Sequence, residues 1–292
     1  MKQLAWFLEA CLYTLLSIPL ALFPLKFGES LGVLFFYLWR SRRNIAIENL
    51  RKSIASHAIS ISETPEKIIR NNFRNLGRSL SEIIKIYYGA GRKIIDSVEF
   101  EGAENAHKAK SKGRGILFIT GHCGNWELMA TASAKLLPAY GIVRQINNPY
   151  INKFIEGVRQ RYGTKVIYKK GALKAVMKVL KNNGSVAILM DQAVLSDEGY
   201  VIDFLGRGAW TTKMPALIAR KTGAVVLPVF MHRTDKGHKI KIYPEVALSD
   251  IADKENAIIE DTKRFSGFIE EYIKEHPSEW LWIHKRWKRV KS

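Results

Sequence analysis

Gly115-Ile116-Leu117-Phe118-Ile119-Thr120-Gly121-His122-Cys123-Gly124-Asn125-Trp126-Glu127-Leu128-Met129-Ala130 sets the class of the fold. The apolar run before Gly121 has strand character and stops abruptly at glycines that surround a histidine. Asn125 is placed to cap a helix over Trp126–Leu137. His122 therefore stands in a strand-to-helix turn, with Glu127 in the first turn of the helix. On an unbroken helix, residues five apart do not share a face. The glycine turn lifts that restriction, so imidazole and carboxylate are able to meet as a general base and its orienting acid. The plainer reading is a structural histidine at a strand end. Against it stand the two flanking glycines, which keep the turn clear of side chains that would crowd a ligand.

Outward from this stretch, further buried strands recur. Ser185–Met190 ends in Asp191-Gln192, and Ala224–Met231 reaches His232. The turn Asp235-Lys236-Gly237 folds the latter back into Lys239–Tyr243, whose charged and apolar residues alternate as an exposed-face strand requires. Val98–Phe100 and Lys165–Tyr168 read as short strands. Helical spacing covers Asn44–Ser56, Pro65–Tyr88, Ala103–Ser111, Pro149–Tyr162 with Arg159 on it, Leu173–Lys181 and Glu255–Lys274. Strands alternating with helices predict an α/β domain: a mixed, mostly parallel sheet flanked by helices, with an antiparallel addition. His122 and Asp191 each follow the carboxyl end of a strand, the edge where open α/β sheets bind ligands, and so are expected to face one cleft. The competing reading of Asp191 is a turn-forming residue that caps the next segment.

Leu4–Leu25 is almost wholly apolar, with Glu9 its only charge, and is long enough to cross a bilayer. It lacks the small-residue cleavage site of a signal peptide, and a second apolar run, Leu31–Trp39, follows at once. Arg40, Arg42, Arg43, Arg51 and Lys52 mark the side expected to remain cytoplasmic. Pro19 and Pro24 are expected to kink or end a helix, and Glu9 disfavours mid-membrane burial. A hydrophobic hairpin in one leaflet is therefore the alternative to a full span. The expected division is residues 1–40 as an N-terminal membrane anchor, helix or hairpin, and 41–292 as the catalytic domain. Across 292 residues the net charge is +19, which predicts attraction to an acidic partner such as nucleic acid, an anionic membrane or an acidic protein.

Several chemistries lack their residues. There is no Gly-x-Ser-x-Gly elbow, P-loop, dinucleotide glycine fingerprint or His-Glu-x-x-His site. Cys11 and Cys123 form neither a disulfide framework nor a zinc pattern, and Cys123 is expected to fill a small buried slot rather than act as a nucleophile. No metal or cofactor is expected. A His/Glu pair without a protein nucleophile points to activation of a substrate hydroxyl or of water.

His122-Cys123-Gly124-Asn125-Trp126-Glu127 resembles the His-x4-Asp/Glu motif of glycerolipid acyltransferases, and in particular the His-x-Gly-Asn-Trp-Glu form of the bacterial lipid A late acyltransferases (the lauroyl/myristoyl acyltransferase family). Arg159, Asp191-Gln192, Phe204-Leu205-Gly206-Arg207, Thr211, Pro215-Ala216, Gly223-Ala224 through Pro228-Val229-Phe230, and Trp280–Lys288 are similar to further parts of that family's pattern. Cys123 and Met214 depart from it at positions bearing on acyl-chain and acceptor preference. The resemblance implies transfer of a fatty acyl chain from an acyl carrier protein thioester to a hydroxyl of a lipid A precursor at the bacterial inner membrane, on its cytoplasmic face. By that resemblance His122 is the base and Glu127 fixes its tautomer. Arg159 holds a phosphate or the oxyanion, and Asp191 orients Arg159 or another basic group. The basic surface then suits acyl carrier protein and an anionic membrane, with the aromatic and basic Trp280–Lys291 segment at the headgroups; the plainer reading of that segment is a solvated basic tail that packs two tryptophans into the domain. Two rivals remain: a relative acting on another glycolipid, such as a phosphatidylinositol mannoside, from acyl-CoA; and, more distantly, a membrane-tethered nucleic-acid-binding protein, for which no recognition module is visible.

Overall fold

A computed structural model describes residues 2–290. Four helices precede the sheet: α1 (Lys2–Leu22), α2 (Leu25–Leu38), α3 (Arg40–Ala55) and α4 (Pro65–Tyr87). Pro24 stands immediately before α2 and separates it from α1, whereas Pro19 is carried inside α1. Leu20 is the one fully buried residue of α1, and Leu4, Leu15, Leu16 and Leu22 are largely exposed. By length and composition α1 is the one candidate membrane span among the described residues. Helix α2 behaves differently, because it lies directly on α4. A Cβ on Gly32 would come 2.1 Å from the Phe73 carbonyl oxygen, and one on Gly77 2.1 Å from that of Gly28, so the two backbones approach where only glycine fits. Helix α4 opens with Thr64, whose hydroxyl accepts the Lys67 N–H, and with Pro65 at its first position.

There follow α5 (Arg92–Asp96), β1 (Val98–Glu101), α6 (Ala103–Ser111), β2 (Ile116–Thr120), α7 (Trp126–Ser133), β3 (Tyr140–Val143), α8 (Pro149–Arg161), β4 (Lys165–Tyr168), α9 (Ala172–Lys181) and β5 (Ser185–Leu189). The chain continues through β6 (Gly199–Phe204), β7 (Arg207–Thr212), α10 (Met214–Thr222), β8 (Val225–Thr234), β9 (Gly237–Ile242) and α11 (Lys254–Glu275). Seven strands form one sheet in the order β1-β9-β8-β2-β5-β3-β4, and β6 with β7 forms a separate antiparallel pair. Within the large sheet only β8 and β9 pair antiparallel, across the Asp235-Lys236 turn. The fold is thus α/β, mixed and mostly parallel, with helices on both faces. Alternation along β2 divides the core: Leu117 and Ile119 face one cluster, with Val186, Ile188 and α11 residues Phe265 and Ile269. Ile116 and Phe118 face the other, with Leu128 and Met129 of α7.

Three departures from the sequence reading have physical causes. Helix α7 ends at Ser133 rather than Leu137: beyond it the bonds tighten to the 3₁₀ type, Lys135 N–H on the Ala132 carbonyl and Leu136 N–H on that of Ser133, and Pro138 holds Leu137 out of helical backbone. Strand β3 escaped detection because Gly141 interrupts its pattern and all four residues are only half-buried. The Trp280–Lys291 segment is not a headgroup belt. Trp280 and Trp282 are fully buried, packed edge to face with ring centroids 4.7 Å apart, and Arg286 is buried with them. Lys285, Lys288 and Arg289 alone keep the exposed basic character, and Lys291 lies outside the described residues.

Candidate active site

Strands β2 and β5 are parallel neighbours, with Thr120 paired to Leu189. Two residues beyond each partner stand His122 and Asp191, brought side by side although 69 positions separate them. Asp191 Oδ1 lies 2.7 Å from His122 Nδ1, while Oδ2 accepts the His122 backbone N–H at 2.9 Å and the Trp280 indole N–H at 2.8 Å. Burial works to raise the Asp191 pKa, but the charge on His122 and these three hydrogen bonds outweigh it and hold the carboxylate at about 2. An ionised carboxylate on Nδ1 places the proton of the neutral ring there and leaves the lone pair on Nε2. Burial pulls the His122 pKa down; the charge and hydrogen bond of Asp191, with the charge of Glu127, overcome it and leave the net shift upward. Trp126 packs edge-on to the imidazole at 5.1 Å, and the Gln192 side-chain amide nitrogen is 3.2 Å from Nε2.

Glu127 is engaged elsewhere. Its Oε1 accepts Arg159 Nη2–H at 2.6 Å and its Oε2 accepts Arg159 Nε–H at 3.3 Å. One expected pairing is therefore corrected: Asp191, not Glu127, is hydrogen-bonded to the imidazole. Of the groups expected for Asp191, Arg159 or another basic group, it holds the latter, His122, while Arg159 is held by Glu127. The cause is the cap. Asn125 Oδ1 accepts the Leu128 N–H at 3.1 Å, which starts α7 at Trp126 and sets Glu127 against α8. Glu127 still acts on His122 through space. Arg159 is steadied by the cap of its own helix. Asn148 Oδ1 accepts the Tyr150 and Ile151 N–H groups, and its Nδ2 donates to the Trp6 carbonyl and to Glu9 Oε2. Glu9, the lone charge of the apolar N-terminal run, is thereby tied to the helix that carries Arg159.

The carboxyl-terminal segment closes the turn. Gly124 N–H donates to the Glu279 carbonyl at 2.8 Å, Leu281 N–H to the His122 carbonyl at 3.2 Å, and Cys123 forms a β-bridge with Trp280. Gly124 has φ +55°, and a Cβ there would meet the Met231 carbonyl oxygen at 2.1 Å, so no other residue fits. Cys123 is buried, and burial with the charges of Asp191 and Glu279 drives its thiol pKa far up, which removes it as a thiolate nucleophile. Sequence reasoning missed the indole of Trp280 as a third hydrogen bond on Asp191. It also missed Glu82, fully buried beneath the turn, whose Oε2 accepts the Asn125 Nδ2–H at 2.9 Å. Neither residue shows in periodicity, since each lies in an element remote from the turn.

An apolar slot runs from the Glu127–Arg159 pair between α7 and the sheet, lined by Trp126, Met129, Leu136, Gly141, Ala187 and Leu189 among others. Among the described residues, no three His, Cys, Asp or Glu side chains are gathered as metal ligands would be.

A family model described as "Bacterial lipid A biosynthesis acyltransferase" matches residues 1–289. The lipid A biosynthesis palmitoleoyltransferase of Escherichia coli is 25% identical over 293 residues, covering 98% of this chain and 91% of that protein. The lipid A biosynthesis lauroyltransferase of Escherichia coli is also 25% identical, over 294 residues with the same coverage of each. The phosphatidylinositol mannoside acyltransferase of Mycobacterium tuberculosis is 24% identical over 248 residues, covering 82% of this chain and 77% of that protein.

Proposed function

The chain belongs to the bacterial lipid A biosynthesis acyltransferase family and is an O-acyltransferase; within that class, we propose that it moves a fatty acyl chain from an acyl carrier protein thioester to a hydroxyl of a lipid A precursor. The observation that carries this reading is the ionised Asp191 at 2.7 Å from His122 Nδ1, which leaves Nε2 as a base; an apolar slot opens at the neighbouring Trp126, Glu127 and Arg159. In this mechanism the acceptor hydroxyl gives its proton to Nε2 as its oxygen attacks the thioester carbonyl carbon. Asp191 holds the tautomer and stabilises the imidazolium. Collapse of the tetrahedral intermediate breaks the C–S bond, and the thiolate takes the proton back from Nε2.

The slot has a volume of about 110 Å³, well under the roughly 300 Å³ at which pockets for compact ligands begin, and its mostly apolar lining suits a segment of an acyl chain. Arg159, its charge held by Glu127, stands at the slot with a guanidinium edge left for an acceptor phosphate. Gly141 lines the slot, and a Cβ there meets nothing within 4 Å. Gly141→Leu is expected to fill the slot and shift the preferred donor toward shorter acyl chains at little loss of total rate, read by competition between thioesters of different chain length.

Residues 1–40 are proposed as the membrane anchor and 41–292 as the acyltransferase domain, on the cytoplasmic face of the inner membrane. The exposed apolar face of α1, the run of Arg40, Arg42 and Arg43 beyond α2, and the net charge of +19 support that placement. The same charge suits an acidic carrier protein. Reconstitution with acyl carrier protein thioester and a lipid A precursor, followed by mass spectrometry of the lipid, tests the reading: one added acyl chain is expected. The likeness to a phosphatidylinositol mannoside acyltransferase favours a second reading, another glycolipid acceptor with acyl-CoA as donor. An unmodified lipid A precursor together with acylation of a mannosylated phosphoinositide would select it.

A further inference from the structure

We propose that Gln192 is a catalytic residue of the acyl transfer, capping the base in the free enzyme and then donating to the oxyanion. The proposal rests on the acyl-transfer reading above. Because Asp191 fixes the proton on Nδ1, the imidazole offers a single in-plane lone pair, on Nε2, and the Gln192 amide nitrogen lies 3.2 Å from it. Only the NH2 face of the amide satisfies a lone pair, so the group in contact with Nε2 is a donor. The free enzyme therefore holds its base occupied.

An acceptor hydroxyl has to reach the same lone pair, since a general base works within hydrogen-bond reach of the proton it takes. Entry of the hydroxyl displaces the amide. Gln192 is free to yield, being half-buried on the irregular segment after β5, beyond the last sheet hydrogen bond from Met190 N–H to the Thr120 carbonyl.

The displaced amide then becomes available to the developing oxyanion. As the hydroxyl oxygen bonds to the carbonyl carbon and its proton passes to Nε2, the carbonyl electron pair moves onto oxygen and requires donors. The His122 N–H is engaged by Asp191, the Gly124 N–H by the Glu279 carbonyl, and the Leu128 N–H by Asn125. Two donors of Arg159 are held by Glu127. Gln192 is a donor that the reaction itself sets free, and it adds to the Trp126 and Glu127 N–H groups in the first turn of α7 and to the guanidinium N–H groups of Arg159 that Glu127 does not hold. It stays away while Nε2 is protonated, because two N–H groups repel. It returns once C–S cleavage is complete and the proton has gone to the thiolate, so the cap follows the protonation state of the base.

The test uses the full chain in detergent micelles, with histidine-labelled NMR titration of His122 and steady-state kinetics with a fatty acyl thioester. Gln192→Ala is expected to raise the His122 pKa, since it removes a hydrogen bond made to the neutral ring. It is expected to lower kcat by about 10²–10³-fold, the usual loss of an oxyanion donor, without raising KM for the acceptor. Gln192→Glu, a carboxylate beside Nε2, is expected to raise that pKa by about one unit or more and to carry the acid limb of kcat with it. An unchanged His122 pKa in Gln192→Ala, or a kcat within threefold of wild type, overturns the proposal. If wild type transfers no acyl chain while Gln192→Ala still moves the pKa, it is the acyl-transfer reading that has failed, and the cap on Nε2 is supported.

Discussion

His122→Ala is expected to lower kcat/KM for acyl transfer by about 10²–10⁴-fold, the span of a positioned general base, with the protein still folded. The decisive companion is Asp191→Asn. It keeps the shape of the side chain but replaces the acceptor on Nδ1 with an amide that stabilises the wrong tautomer, and in comparable dyads that change costs about 10⁴ in kcat. The pH dependence separates Asp191 from Glu127. Activity requires neutral His122, so the rate rises with pH through the His122 pKa. Asp191 raises that pKa by charge and by hydrogen bond, Glu127 by charge alone. Removing either charge moves the acid limb of kcat/KM to lower pH, further for Asp191→Asn than for Glu127→Gln. Initial rates across pH 5–9 read this directly. A larger displacement from Glu127→Gln would show that the imidazole is paired with Glu127 during turnover, contrary to the geometry.

Much of the site was legible because its parts obey local rules. A buried strand, a glycine turn and an Asn cap announce themselves over a dozen residues, and strand β5 ends in Asp191 by the same grammar. Parallel pairing of β2 with β5 then brings the two polar ends together, an inference available once both strands were recognised. The partners within the site were not legible. Whether Glu127 turns toward His122 or Arg159 depends on where α7 begins, a matter of one Asn125 hydrogen bond and the position of α8. The closing segment misled for a related reason. Trp280, Trp282, Lys285, Arg286 and Lys288 have the composition of a membrane interface, yet Trp280 is the indole that fixes Asp191. Composition records what a segment contains, and the contacts decide which way it faces.

The N-terminal segment shows the same division between pattern and contact. Its exposed leucines suit lipid, but Asn148 reaches Glu9, and Lys85 Nζ donates to the Ala21 carbonyl at 2.6 Å, so α1 is fastened to the helices that frame the site. A charge disfavoured in a bilayer centre is satisfied here by an amide that also caps α8. The candidate membrane helix α1 thus also touches the cap of α8, the helix that carries Arg159.

Glu82→Ala is expected to cost more stability than any other single change near the site. The Glu82 side chain is fully buried and accepts from Arg233 Nη1 at 2.6 Å, Arg78 Nε at 3.2 Å and Asn125 Nδ2 at 2.9 Å, with His238 Nε2 3.3 Å away. Burial alone would raise its pKa; His238 and Arg233 reverse that and hold it at about 2. Its contribution to stability is therefore present above the unfolded carboxylate range and is lost only as pH falls toward 2. Truncation takes from the nearly buried Arg233 guanidinium the carboxylate it is paired with, and breaking one side of a buried pair costs about 3–5 kcal/mol. For a chain of this size that is a fall of about 5–8 °C in the unfolding midpoint, measured by thermal denaturation in micelles at neutral pH. Loss of the Asn125 hydrogen bond also loosens the catalytic turn, so a kcat reduced by about tenfold, the equivalent of one lost hydrogen bond of roughly 1.4 kcal/mol, should accompany it at temperatures where the protein remains folded. The double replacement Glu82→Met with Arg233→Met removes both charges and should recover most of the stability. It should not recover the rate, because methionine offers Asn125 no comparable acceptor. Stability and turnover separating in this way would place Glu82 as a positioning residue for the His122 turn, whereas parallel recovery of both would reduce it to a structural ion pair.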